Sequence, residues 1–120
     1  MRRSLATDQE SGHKAYRSFS ERSRLGYSIV FNFKNGSRRL FEYSDLVDAE
    51  YNPDLGGIIL EGIGKRVTLV GTNLAGLFDL IADHQLGEVT ERHEPPHLEA
   101  ALAKTGQPYI RELIWERLTG

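Results

Sequence analysis

The chain has 120 residues, 39% of them hydrophobic and 27% charged, with a formal net charge of −2; a length of this order builds one domain around one core. Cysteine is absent, which excludes disulfides, a thiol nucleophile, iron–sulfur ligation and every cysteine zinc site. No run of about 18 apolar residues is present to span a bilayer, and the opening residues MRRSLATDQESG lack the apolar stretch of a secretory signal, so a cytoplasmic protein is expected.

The charge is unevenly placed. Residues 1–24 carry Arg2, Arg3, Lys14, Arg17, Arg22 and Arg24 against Asp8, Glu10 and Glu21, a net of +3 that leaves −5 for residues 25–120. This leading segment is Ser-rich and shows no period of 2 or 3.6 that would present an apolar face. It reads as a basic, disordered arm ahead of a single domain over residues 25–120. Its basic residues are scattered among Ser, Thr and acids, the pattern of a solvated leader; arms of this sign also reach nucleic acid, acidic partners or membrane surfaces.

At Leu25 the pattern changes. Tyr27, Ile29, Phe31 and Phe33 alternate with Ser28, Asn32 and Lys34, predicting a half-buried strand with an aromatic face. Asn35-Gly36 then offers a type I′ turn, with Arg38 to Tyr43 as the returning strand. From Tyr43 to Tyr51 apolar and acidic residues mix, so the second strand either continues through a bulge or bends toward a new pairing. Asn52-Pro53-Asp54 and Gly56-Gly57 supply turn chemistry. Ile58 to Ile63 and Arg66 to Gly71 follow as a third and fourth strand around Gly62-Ile63-Gly64, completing an antiparallel meander. Apolar residues on both faces of this last hairpin predict that it is central and covered on both sides.

Thr72 or Asn73 can cap the next helix. Leu74, Leu77, Phe78 and Ile81 recur at i, i+3, i+4 and i+7 as an apolar stripe, predicting a helix over residues 73–86 with Asp79, Asp83 and His84 facing outward. Glu88 to Arg92 fits a short strand, Glu94-Pro95-Pro96 stops it, and His97 to Lys104 fits a short helix ended by Gly106. Tyr109 to Leu118 fits both periods; its β-branched and aromatic content favours a strand. The expected fold is therefore α+β: an antiparallel meander sheet of about five to six strands, one main helix packed on one face, and a short second helix.

The stretch Val67 to Leu86, VTLVGTNLAGLFDLIADHQL, places a strand ending V-T-x-x-G-x-N-L before a helix with a terminal H-x-L. This resembles a pattern in small uncharacterised bacterial α+β proteins, and the resemblance implies an antiparallel sheet plus helix without implying any activity.

His93-Glu94-Pro95-Pro96-His97 spells the zinc-protease signature H-E-x-x-H. That signature needs a helix to bring both imidazoles to one face, and two prolines in its middle break the helix. A looser metal site would draw on His93 and His97 with Glu94 or His84 as a third ligand. Gly62-Ile63-Gly64-Lys65 lacks the earlier Gly and the following Ser or Thr of a phosphate-binding loop, and reads as a hairpin turn. Gly71-Thr72-Asn73, a strand running into a helix start, leaves backbone N–H groups that suit an anion, though helix entry alone is the favoured reading. No Ser lies in a nucleophile elbow. Asp45, Asp48, Glu50 and Asp54 suit a solvated sheet edge better than a calcium loop.

Without a catalytic constellation or a cofactor motif, the chain is expected to be a small non-catalytic binding or regulatory domain acting through protein partners or self-association. Phe31, Phe33, Phe41 and Trp115 are the candidate interface. An alternative is nucleic-acid binding through the basic arm and the hairpin-turn cations Lys34, Arg38, Arg39, Lys65 and Arg66. A protein built on a His metal site is a third possibility.

Overall fold

The computed structural model describes residues 16–18 and 27–119. Its elements in order are β1 (Tyr16–Ser18), β2 (Ser28–Asn32), β3 (Arg38–Glu42), a 3-10 turn (Tyr43–Asp45), β4 (Leu46–Asn52), β5 (Gly57–Gly62), β6 (Lys65–Thr72), α1 (Ala75–Ala82), β7 (Leu86–Thr90), α2 (Pro96–Ala103) and β8 (Tyr109–Arg117). The chain is α+β, but the expected single meander is divided into two four-stranded sheets, ordered β1-β7-β2-β3 and β4-β5-β6-β8. All pairings are antiparallel except β2 with β7, which is parallel.

The division happens at Tyr43–Asp45. The Tyr43 backbone N–H donates to Tyr27 O at 2.9 Å, closing the first hairpin, and its buried hydroxyl donates to Leu86 O at 2.7 Å. Two residues on, Asp45 O accepts from Ile63 N at 3.1 Å and so begins the second sheet. Both readings of the Tyr43 to Tyr51 stretch are realised: the chain bends at the 3-10 turn and then bulges between Leu46 and Asp48.

Three local expectations are corrected. The β2–β3 connection is not a type I′ turn, because only Gly36 of the Asn35-Gly36 pair has positive φ (94°). Gly36 N donates to Phe33 O and Phe33 N to Ser37 O. Asn35 instead uses its Oδ1 to accept from the Ser37 N–H and hydroxyl, an Asx turn that a right-handed Asn satisfies. Within the segment expected to be an arm, Tyr16–Ser18 form β1 on the outer edge of β7; strand pairing there needs only a free edge and no apolar period. The rest of that segment lies outside the described residues. Asn73 does not cap α1. It takes φ 58° and its side-chain amide donates to Ala103 O and Gln107 O, both at 3.0 Å, so it fastens the end of α2 to the end of β6.

Helix α1 is shorter than the expected 73–86 because the chain leaves right-handed geometry at Asn73 and again at His84, each with φ 58°. His84 N donates to Ile81 O and Gln85 N to Leu80 O at 2.8 Å, the paired closing bonds of a Schellman-type end. A non-Gly residue at such an angle carries a conformational cost, and the His84 ring stacks on Tyr43 with centroids 4.3 Å apart, a contact that offsets it. The ambiguous C-terminal segment is a strand, β8, paired with β6 from Lys65 to Thr72.

The two sheets face each other across one core. Ile58, Leu60, Val67 and Leu69 point inward from the second sheet and Ile29, Phe31, Phe41 and Val89 from the first, while Leu74, Leu77 and Ile81 of the α1 region close one end. Each fully buried side chain of this size contributes roughly 1.5–3 kcal/mol. Glu91 stitches the sheets along one side. It is 8% exposed, and its carboxylate accepts from Lys34 N and from Leu113 N, both at 2.9 Å. Its own N–H extends the β2 ladder to Asn32 O, and the next residue, Arg92, donates to Ile110 O in the other sheet.

Candidate binding surfaces

The aromatic cluster expected as an interface is mostly core. Phe31 and Phe41 are both 0% exposed, a correction with a simple cause: the face they share is covered by the second sheet of the same chain. Each meets the Trp115 ring edge-on, at 6.1 and 6.3 Å between centroids. Trp115 and Phe33 are half-buried. The Trp115 ring holds the Arg39 guanidinium, whose Cζ is 5.2 Å from the ring centroid.

The five hairpin cations do not form one patch. Arg38, on the outer face of the first sheet, donates to Asn32 Oδ1 at 2.7 Å and lies 3.6 Å from Glu88. Arg66, on the outer face of the second, sits between Glu61 (3.9 Å) and Glu116 (3.7 Å). Lys34 is exposed in the first hairpin loop. Lys65 lies at the opposite hairpin, bonded to Asp45 at 2.7 Å and 5.1 Å from the Phe41 ring. Of the five, Arg39 and Lys65 converge, on either side of the Phe41–Trp115 pair.

The His-Glu-Pro-Pro-His stretch is not helical as a unit. Residues 91–95 form no helix and α2 begins at Pro96, with Pro95 at ψ 150°, so His93 and His97 are not one turn apart on a helix. Both are exposed. Glu94 is occupied by Arg92 at 2.8 Å, and its N–H donates to the Tyr109 hydroxyl at 3.1 Å. Among the described residues no three His, Asp or Glu side chains are grouped to hold a metal ion. His84, also named for such a site, is committed to the α1 end and to Tyr43.

Gly62-Ile63-Gly64-Lys65 is the β5–β6 hairpin loop, with Gly62 and Lys65 as its closing pair. At the other end of β6, a groove of about 280 Å³ is lined by Tyr51, Pro53, Gly56, Gly71, Thr72, Asn73, Leu74 and Ala103, none of them charged. Gly71 is obligatory here, since a Cβ would stand 1.8 Å from Tyr109 O. The Thr72 hydroxyl is buried without a hydrogen-bond partner among the described residues. Burial opposes the ionisation of two tyrosines: it raises Tyr43 strongly above its ordinary value, and Tyr109 as well, where the neighbouring Glu99 and Glu94 act in the same direction.

One surface was not anticipated in the sequence. Strand register places Asp48, Glu61, Arg66 and Glu116 in one row across the outer face of the second sheet, Glu50, Ile59, Thr68 and Ile114 in the next, and Val70 beside Glu112 in a third. Ile59, Thr68 and Val70 are half-buried and Ile114 is 37% exposed. The β5–β6 hairpin, expected to be covered on both sides, is therefore central in its sheet but covered by the described residues on its inner face alone, and Ile63 at its tip is 68% exposed. Alternation in β4 and β8 hints at the two acidic edges; only the register joins them across four strands. No helix among the described residues is long and apolar enough to cross a membrane. No protein-family model, curated protein or solved structure matches the chain.

Proposed function

We propose that this chain is a non-catalytic, cytoplasmic binding domain that works through protein contacts, either with a second copy of itself or with a partner bearing a basic, partly apolar surface. The reading rests on the outer face of the β4-β5-β6-β8 sheet, where Ile59 and Ile114, with Thr68 between them, run between the carboxylates of Asp48, Glu50, Glu61, Glu112 and Glu116, with Arg66 among them. An apolar centre within a charged rim is the usual anatomy of a protein-binding patch, and the acidic rim selects the sign of the partner.

Light scattering coupled to size exclusion tests the self-association limb. At tens of micromolar, in enough salt to screen the acidic rims from one another, a mass above that of one chain is expected, falling toward the monomer in Ile114→Glu. A monomeric mass under every condition removes self-association as the mode of action.

A further inference from the structure

We infer that the rim formed by Arg39, Trp115 and Arg117 is a binding site for a phosphate group. It lies on the opposite side of the second sheet from the face used in the proposed function, and rests on different observations. Alternation along β8 puts Trp115 and Arg117 on the inner side, where their cross-strand partners are Val67 and Lys65. Arg39 comes from β3 of the other sheet and lies over the Trp115 ring. Phe41 adjoins both Trp115 and the Lys65 ammonium, so the cluster is continuous across the gap between the sheets.

The pairing of charges singles out this place. Six arginines have described side chains. Arg38, Arg66, Arg92 and Arg111 each have a carboxylate within ion-pair distance. Arg39 and Arg117 have none among the described residues, in a domain whose acids outnumber its bases, and both sit on this rim. Lys65 is neutralised by Asp45 at 2.7 Å, which leaves the two guanidiniums as the uncompensated charge.

Arg39 is also held in place. A guanidinium stacked on an aromatic ring keeps its N–H fork directed outward and loses less freedom when it binds, and that fork matches the oxygens of a phosphate. The ring that holds it is thereby occupied: Arg39 covers it, and Phe31 and Phe41 meet it edge-on. Base stacking on Trp115 is not available, so the ligand is recognised through its phosphate and not through a base. A free phosphorylated compound and the backbone of a nucleic acid both present that group.

Trp115 is the single tryptophan of the chain, so its intrinsic fluorescence reports on the rim directly. The full chain is titrated with inorganic pyrophosphate and, separately, with a ten-residue oligothymidylate, each against sodium chloride at matched ionic strength. A saturable change with pyrophosphate alone assigns the site to free phosphorylated compounds; with the oligonucleotide alone, to a nucleic-acid backbone; with both, to the phosphate as such. Loss of one charge-assisted contact weakens binding by about tenfold, the effect expected for Arg117→Ala and Arg39→Ala. Arg39→Lys, which keeps the charge, recovers part of the loss, and Arg66→Ala on the far face leaves the titration unchanged. Thermal unfolding of each variant confirms that it is folded, and broadening of the pyrophosphate 31P resonance supplies a readout independent of Trp115. No saturable change with either probe, an equal change with sodium chloride, or unaltered affinity in both Arg39→Ala and Arg117→Ala overturns the assignment.

Discussion

The two faces of the β4-β5-β6-β8 sheet are made by the same strands, one residue out of phase, yet they have opposite fates. Ile58, Leu60, Val67 and Leu69 on the inner face are all 0% exposed, while Ile114 on the outer face is 37% exposed and its row is flanked by acids. Both faces carry β-branched and aliphatic side chains. Burial was decided by what each face meets: the first sheet arrives on the inner side with Phe31 and Phe41. The outer row keeps part of its area in water. A residue's type therefore says it can be buried, and the second layer says whether it is.

Variants on the two faces should separate by size of effect. The largest loss is expected for Phe31→Ala, which empties the space between the sheets beneath Trp115; truncation of a buried Phe costs about 3–5 kcal/mol. A urea midpoint that moves by less than the equivalent of about 1 kcal/mol would show that Phe31 is not the contact holding the faces together. Next is Glu91→Ala, which leaves the Lys34 and Leu113 N–H groups without their acceptor at the seam. Hydrogen bonds to a charged group contribute about 1.5–3 kcal/mol each, so a loss of about 3 kcal/mol is expected. Glu91→Gln keeps an acceptor oxygen and should lose less.

A smaller effect is confined to alkaline pH. Burial raises Tyr43 above its ordinary value of 10.0, so the unfolded chain releases this proton first. Stability from Tyr43 is complete below about pH 10 and declines as the pH rises above it, by about 1.4 kcal/mol per pH unit while only the unfolded state is ionised. Tyr43→Phe should flatten part of that alkaline slope in unfolding experiments between pH 9 and pH 12, with the remainder carried by Tyr109, which shifts the same way. An identical slope in the variant would mean that Tyr43 ionises as readily folded as unfolded.

The smallest stability effect belongs to the outer face. Ile114→Thr keeps a β-branched strand residue at a partly exposed position, and surface substitutions of this kind stay within about 0.5 kcal/mol. Under the proposed function it should nevertheless reduce association at tens of micromolar. A stability loss as large as that of a core residue would show the face to be covered, and the contrast between the faces would disappear.

Much of the local structure was legible beforehand because it depends on neighbours in the chain. The alternation of Ile29 and Phe31, the Gly-x-Gly loop between β5 and β6, and the stripe of Leu74, Leu77 and Ile81 each follow from side-chain period or turn chemistry, whereas Tyr109 to Leu118 fitted both periods and was decided by its pairing with β6. The failure of His-Glu-Pro-Pro-His as a helical zinc motif was equally legible, since proline acts within a residue or two of itself. The candidate site was less so. Of the four residues read as an interface, Phe31 and Phe41 are fully buried, and of the five hairpin cations Arg39 and Lys65 share a rim, where Arg117, which carries no motif, joins them.

The residues alone thus settle the first hairpin's strands, the main helix, the central β5–β6 hairpin and the lack of any cysteine chemistry, because period, turn geometry and composition act over a few residues. The third dimension decided that Tyr43–Asp45 starts a second sheet, that β2 pairs in parallel with a strand more than 50 residues later, that Glu91 closes the seam, and that acids of three strands meet on one face. Those outcomes rest on contacts between distant segments, which compete for the same edges and faces and leave no periodic mark in the chain.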